Sequence, residues 1–232
     1  MRKLGMIGGM AWESTIDYYK LLNKRVNEME GGWTSPELIL YSVNFEKILR
    51  LQNEGEWKQI ADIMTTISKK LESAGAEAIM LCSNTIHKVA KEVEESIDMP
   101  LIHTVDATAR LIVDKGYSKV GLMGTRFTME SGFYTNRLKE RFGIKTVIPD
   151  SKQREIINAS IYNEFAKGVF TNERKVQFLE IMTDLVDRGA EGIILGCTEI
   201  PLLIKQSDTK NPLFNTLENH INAAVSFITE KK

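Results

Sequence analysis

Several things are scarce in this chain. Its 232 residues include only two cysteines and three histidines. Two cysteines are too few for the disulfide framework of a small secreted domain. The histidines, His87, His103 and His220, are scattered and make no spaced ligand set with the cysteines, so no metal is expected. An excess of either charge is also lacking. Thirty Lys and Arg against 31 Asp and Glu leave a net charge of -1, which removes any electrostatic case for a nucleic-acid or anionic-membrane partner. No apolar run approaches the ~20 residues of a membrane span. Met1-Arg2-Lys3 runs straight into Leu4-Gly5-Met6-Ile7 without the apolar core of a signal segment. A cytoplasmic protein with free thiols is therefore expected. No G-x-x-x-x-G-K-[ST] occurs, and Gly8-Gly9-Met10 lacks the third glycine of a dinucleotide fingerprint. No lysine stands in a context suggesting a pyridoxal Schiff base.

What is present is a repeat. Gly75-Ala76-Glu77-Ala78-Ile79-Met80-Leu81-Cys82 returns as Gly189-Ala190-Glu191-Gly192-Ile193-Ile194-Leu195-Gly196-Cys197. Lys3-Leu4-Gly5-Met6-Ile7-Gly8 returns, at nearly the same offset, as Lys119-Val120-Gly121-Leu122-Met123-Gly124. Each copy of the first phrase ends in one of the two cysteines.

Short apolar runs at 3–8, 37–43, 76–82, 100–105, 119–124, 144–148, 191–197 and 212–216 predict strands. Those apolar on both faces suit parallel sheets covered on both sides. Helical patterns alternate with them at 14–29, 57–74, 85–96, 107–115, 130–141, 152–167, 173–188 and 218–230. The first is expected to open on a capping box at Ser14-Thr15-Ile16-Asp17 and to bury Ile16, Tyr19, Leu22 and Val26. Gly116, Gly143, Gly168 and Gly189 stand where helix C-caps fall. The alternation predicts an α/β protein of two similar parallel-sheet halves. The expected domains are 1–102 with 207–232, and 103–206.

Parallel α/β sheets collect ligands at the carboxyl ends of their strands, and both cysteines lie there. Helix N-termini in such places bind carboxylates and depress thiol pKa values. Moving a thiol from ~8.5 to ~7 takes about 2 kcal/mol, of which a helix end supplies ~0.3–1 kcal/mol. A cysteine closing an apolar run is also an ordinary core residue. Paired placement of the chain's only two cysteines favours chemistry.

These residues resemble the aspartate/glutamate racemase family along essentially the whole chain. The resemblance rests on Leu4-Gly5-Met6-Ile7-Gly8-Gly9-Met10, Cys82-Ser83-Asn84-Thr85-Ile86-His87 and Gly196-Cys197-Thr198-Glu199-Ile200. It implies two halves related by a pseudo-two-fold axis, an amino acid held in the cleft between them, and no cofactor. It further implies two-base catalysis, with Cys197 serving the L-enantiomer and Cys82 the D-enantiomer. Gly8-Gly9-Met10 and Glu199 stand where glutamate racemases carry Asp-Ser-Gly and histidine, so the chain looks like the aspartate racemase branch. A homodimer is expected on the same resemblance.

Further substrate-binding candidates are Met10, Asn84, Thr85, Thr198 and Glu199 around these motifs. Thr125 joins them as the repeat's counterpart of Gly9. Gln52, or Arg50 beside it, is a candidate for a side-chain carboxylate, and a solvated loop face is an equal reading. Lys167 lies near the place where relatives carry a cationic clamp, although a helix-end lysine is commonly just exposed. Glu199 either polarises Cys197, orients the substrate ammonium, or serves as a helix N-terminal acid. Alternatives of other kinds are a racemase of broader amino-acid range, a maleate isomerase of the same superfold, and a dicarboxylate-binding protein without turnover.

Overall fold

A computed structural model describes residues 1–230. The chain divides into two compact units, Met1–His103 with the segment from His220 onward, and Thr104–Asn219.

The first unit runs β1 (Leu4–Gly8), α1 (Trp12–Glu30), β2 (Leu38–Ser42), α2 (Phe45–Glu54), α3 (Trp57–Ser73), β3 (Ala78–Leu81), a 3₁₀ turn (Thr85–Val89), α4 (Ala90–Glu94) and β4 (Leu101–Ile102). The second runs α5 (Thr104–Asp114), β5 (Lys119–Gly124), α6 (Arg126–Glu130), α7 (Phe133–Phe142), β6 (Lys145–Val147), α8 (Ser151–Asn163), α9 (Asn172–Asp187), β7 (Ile193–Gly196), α10 (Ile200–Leu203) and β8 (Leu213–Asn215). Helix α11 (Thr216–Thr229) carries the chain back to the first unit at His220. The sequence expectation put that return at 207. It comes later because β8 pairs with β7 and so keeps the intervening segment in the second sheet.

Each unit holds one four-stranded, wholly parallel sheet. The strand orders are β2-β1-β3-β4 and β6-β5-β7-β8, the same topology twice. The repeated phrases turn out to be the central strand pairs, β1 with β3 and β5 with β7. Identical local devices hold both pairs. Glu77 donates its backbone N–H to Lys3 O at 2.8 Å and accepts from Lys3 N on its carboxylate at 3.1 Å. Glu191 does the same with Lys119, at 2.8 Å in each direction. Gly5 and Gly121 also correspond. A Cβ on Gly5 would meet Ile79 Cδ1 at 2.8 Å, and one on Gly121 would meet Ile193 Cδ1 at 2.7 Å.

Apolar stripes account for the helices. Ile60, Met64, Ile67 and Leu71 of α3 are buried beside Ile7, Ile79 and Leu81. Phe178, Ile181, Met182 and Leu185 of α9 repeat that packing with Met123, Ile193 and Leu195. Gly116, Gly143, Gly168 and Gly189 all take positive φ. The start of α1 differs from expectation. The helix begins at Trp12, and Ser14 and Thr15 turn their hydroxyls back to Ala11 O at 3.1 and 3.0 Å instead of capping a later start. With the register moved, Thr15, Tyr18, Leu22 and Val26 form the buried stripe, while Ile16 and Tyr19 are exposed. Residues 45–54, expected as substrate-contacting chain or solvated loop, form helix α2, capped by the Asn44 side chain on Glu46 N.

Candidate active site

In an open parallel sheet the ligand crevice lies where neighbouring strands send their connections in opposite directions. In the first sheet that point falls between β1 and β3, and in the second between β5 and β7. The segments leaving those strands are Gly9-Met10 and Cys82-Ser83-Asn84, and Thr125-Arg126 and Cys197-Thr198-Glu199. Topology thus gathers the sequence-nominated motifs at the crevice of each sheet.

At the first crevice Cys82 has no exposed surface. Its backbone N–H donates to Ile7 O at 2.9 Å, continuing the β1–β3 ladder one residue further. Burial pushes its thiol well above the ordinary range. Asn84 and Thr85 are buried beside it in sequence, at the head of the 3₁₀ turn. Met10 packs into the apolar cluster containing Ile7, Leu81 and Ile86. Gln52 on α2 is turned inward at 4% exposure. Arg50, two residues away, faces solvent and pairs with Glu54 at 3.9 Å.

The glycines after β1 answer to the chain's own atoms. A Cβ on Gly9, whose φ is +89°, would lie 2.5 Å from Val43 O, and one on Gly8 would lie 2.4 Å from Thr15 Cγ2. The structure assigns them to the packing of β1 against α1 and the end of β2.

At the second crevice Cys197 is 8% exposed. Its thiol donates to Glu199 Oε2 at 2.7 Å. Burial, and next the Glu199 carboxylate, raise the thiol well above its usual pKa, against a smaller downward pull from the backbone N–H groups of Glu199 and Thr198. A depressed pKa was the expectation for both cysteines. It fails because burial acts alone on Cys82, and at Cys197 burial and the Glu199 carboxylate outweigh the two N–H groups. Glu199 stands at the N-terminus of α10, where its side chain makes no cap bond and accepts a hydrogen bond from the Cys197 thiol.

Thr125 caps α6, its hydroxyl 3.3 Å from Thr128 N and 3.1 Å from Thr128 Oγ1. Lys167 is exposed at the end of a 3₁₀ turn before Gly168.

Two residues in the second unit escaped the sequence reading. Tyr162 on α8 packs against the cluster that contains Cys197. Its phenol is pushed up to about 12, first by burial and then by the charges of Cys197 and Glu199, with Arg126 opposing. Arg126, at the start of α6, is exposed, and its backbone N–H donates to the Asn158 side chain at 2.9 Å. No motif marks either residue. The signal was positional: Arg126 follows Thr125 directly, at the crevice end of β5.

The three histidines, far apart in sequence, come together in the first unit. The rings of His87 and His103 have centroids 4.5 Å apart, and those of His87 and His220 are 5.5 Å apart. Among the described residues, no group of three or more His, Cys, Asp or Glu is arranged to hold a metal.

Comparison with known proteins agrees with this architecture. A Yersinia pestis protein of known crystal structure is 43% identical, with a TM-score of 0.95 over 99% of this chain and 100% of that one. An aspartate racemase homologue from Pyrococcus horikoshii OT3 is 36% identical, with a TM-score of 0.87 over 99% of this chain and 100% of that one. The broad specificity amino-acid racemase RacX of Bacillus subtilis is 23% identical over 92% of each chain. The Asp/Glu/Hydantoin racemase family model matches residues 7–224, and the chain belongs to that family.

Proposed function

We propose that this chain is a cofactor-independent racemase of an acidic amino acid, aspartate or glutamate, in which Cys197 and Cys82 exchange the Cα proton. The observation that carries this reading is the pairing of one scaffold, built twice, with a thiol at the crevice of each copy. Racemisation needs a base on one face of a planar carbanion and an acid on the other, since a lone base returns its proton to the side it came from.

The two settings fit unequal starting roles. Cys82, buried and held as the thiol, is suited to give a proton. Cys197 shares its proton with Glu199, which offers that proton a place to go. A substrate ammonium beside this pair adds the positive charge that favours the thiolate. Cys197 then takes the Cα proton, Cys82 delivers its own to the opposite face, and the roles reverse for the other enantiomer. Asn84, Thr85 and Thr198 supply donors for the α-carboxylate, and Gln52 is the inward-facing candidate for the side-chain carboxylate.

A broader amino-acid range is the second reading. Arg50 and Lys167, the cations nominated from sequence, both face solvent, and the buried candidate on α2 is the neutral Gln52. The deciding experiment incubates the protein in D₂O with L-aspartate, L-glutamate and a panel of neutral and basic amino acids. The Cα proton is followed by NMR and the products are resolved by chiral chromatography. Exchange with both enantiomers formed from an acidic substrate is the expected result. Exchange confined to other amino acids selects the broader reading, and no exchange with any of them overturns both. Sedimentation analysis of the same sample tests the homodimer that the family resemblance implies.

A further inference from the structure

We propose that His87 is a positioning residue for the Cys82 thiol, seated by a buried cluster that gathers every histidine of the chain. This rests on the reading that Cys82 acts chemically.

His87 lies one helical turn past Cys82, and its Nδ1 is 2.8 Å from the carbonyl oxygen of Ser83. A carbonyl only accepts, so Nδ1 carries the proton and donates. Ser83 follows Cys82 directly, and its carbonyl belongs to the peptide leading on to Asn84. The backbone at the thiol is therefore held from two sides: Cys82 N–H on Ile7 O at 2.9 Å, and Ser83 O on the His87 ring. The His87 backbone N–H adds a bond to Asn84 O at 3.1 Å.

The ring is in turn fixed by its neighbours. His103, just after β4, lies at 4.5 Å and His220 of α11 at 5.5 Å between ring centroids. His220 Nε2 is 2.6 Å from Ile102 O and therefore carries that ring's proton. Its Nδ1 accepts from the Tyr18 hydroxyl of α1 at 3.0 Å. The residues of this cluster are all at least nine-tenths buried: His87 3%, His103 4%, His220 0% and Tyr18 1% exposed. The end of β4 and α11, distant in sequence, thus converge on the ring that holds the Cys82 loop, and α1 supports them through Tyr18 on His220. A packing histidine needs no donor aimed at that one carbonyl, whereas a positioning histidine does.

The test separates the donor from the bulk. His87→Asn keeps an N–H at the place of Nδ1, while His87→Gln moves it to the place of Nε2, and the two side chains are otherwise alike. The first readout is the rate of iodoacetamide alkylation of each cysteine in the folded protein, by peptide mass spectrometry, which needs no turnover. His87→Gln is expected to change the Cys82 rate roughly tenfold, as a displaced loop would, with Cys197 unchanged and His87→Asn close to wild type. The second readout is the isotope effect of Cα-deuterated substrate. It is expected to rise in His87→Gln for the enantiomer that Cys82 deprotonates and not for its mirror image. Equal behaviour of the two variants at Cys82, or parallel changes at Cys82 and Cys197, overturns the proposal. A protein that proves inactive on every amino acid overturns the racemase reading, and the alkylation rates then decide this one separately.

Discussion

Cys82 and Cys197 end equivalent strands of equivalent sheets, yet their surroundings differ. Cys197 has a carboxylate on its thiol at 2.7 Å, and Tyr162 lies within electrostatic reach of both groups. Cys82 is sealed from solvent, raised by burial alone, and followed by a loop whose Ser83 carbonyl accepts from the His87 ring. The two units therefore share the topology that brings a cysteine to a crevice and differ in the groups behind each thiol.

The strongest way to break the comparison is to remove either sulfur. Cys82→Ser and Cys197→Ser are each expected to lower interconversion by ~10³-fold or more, since a serine hydroxyl neither yields nor accepts the Cα proton readily at neutral pH. Chiral chromatography of the product, with circular dichroism to check the fold, is the measurement. Full activity in either variant would end the two-base reading.

Next in size is an acid-side loss of stability centred on His220 of the first unit. Burial lowers His220 to about 4 from an ordinary 6.5. The unfolded chain therefore binds the extra proton first, and stability drops as pH falls from about 6.5 to about 4, by an amount of order 3 kcal/mol. Urea melts between pH 7.5 and 4 should show this loss, and His220→Gln should flatten it. A His220→Gln curve parallel to wild type would show that the loss arises elsewhere.

Glu199→Gln sharpens the contrast between the thiols. Without the carboxylate the Cys197 pKa should fall, so its alkylation should set in at lower pH while Cys82 stays as it was. At the same time kcat/KM should fall roughly 10–100-fold through loss of the proton's acceptor. An unaltered Cys197 profile would deny Glu199 its role.

The scaffold itself should respond symmetrically. Gly5→Ala and Gly121→Ala each force a Cβ against an isoleucine at under 3 Å, at a cost of about 1–3 kcal/mol apiece. Thermal melts with clearly unequal losses would show that the two copies are less alike than their backbones. The smallest expected effect is that of Arg50→Ala, an exposed cation paired with Glu54, which should alter turnover by less than about twofold.

Much of this was legible in the sequence. The repeat exposed the two central strand pairs, because a strand buried on both faces must be apolar throughout and the glycine inside it must admit an isoleucine. The eight strands and the glycine caps followed from short apolar runs and from positive-φ positions. Helix α2 did not, because its cap residue Asn44 and its inward Gln52 look like loop chemistry until the helix is formed. The start of α1 misled for a related reason. Ser14 and Thr15 bond backward to Ala11 O, which no local pattern distinguishes from a forward cap.

By itself, then, the sequence determined the α/β class, the doubling, and the placing of one cysteine at the end of each copy. The first follows from short-range periodicity, and the other two from the repeat of Gly75–Cys82 as Gly189–Cys197. Only the tertiary structure decided that β8 stays with the second sheet, that both thiols are raised rather than depressed, that the Cys197 thiol donates a hydrogen bond to Glu199, and that three scattered histidines become one cluster. These depend on burial and on contacts between residues up to some two hundred positions apart, as in the Tyr18 hydroxyl on His220. Such contacts leave no mark on the spacing of neighbouring residues.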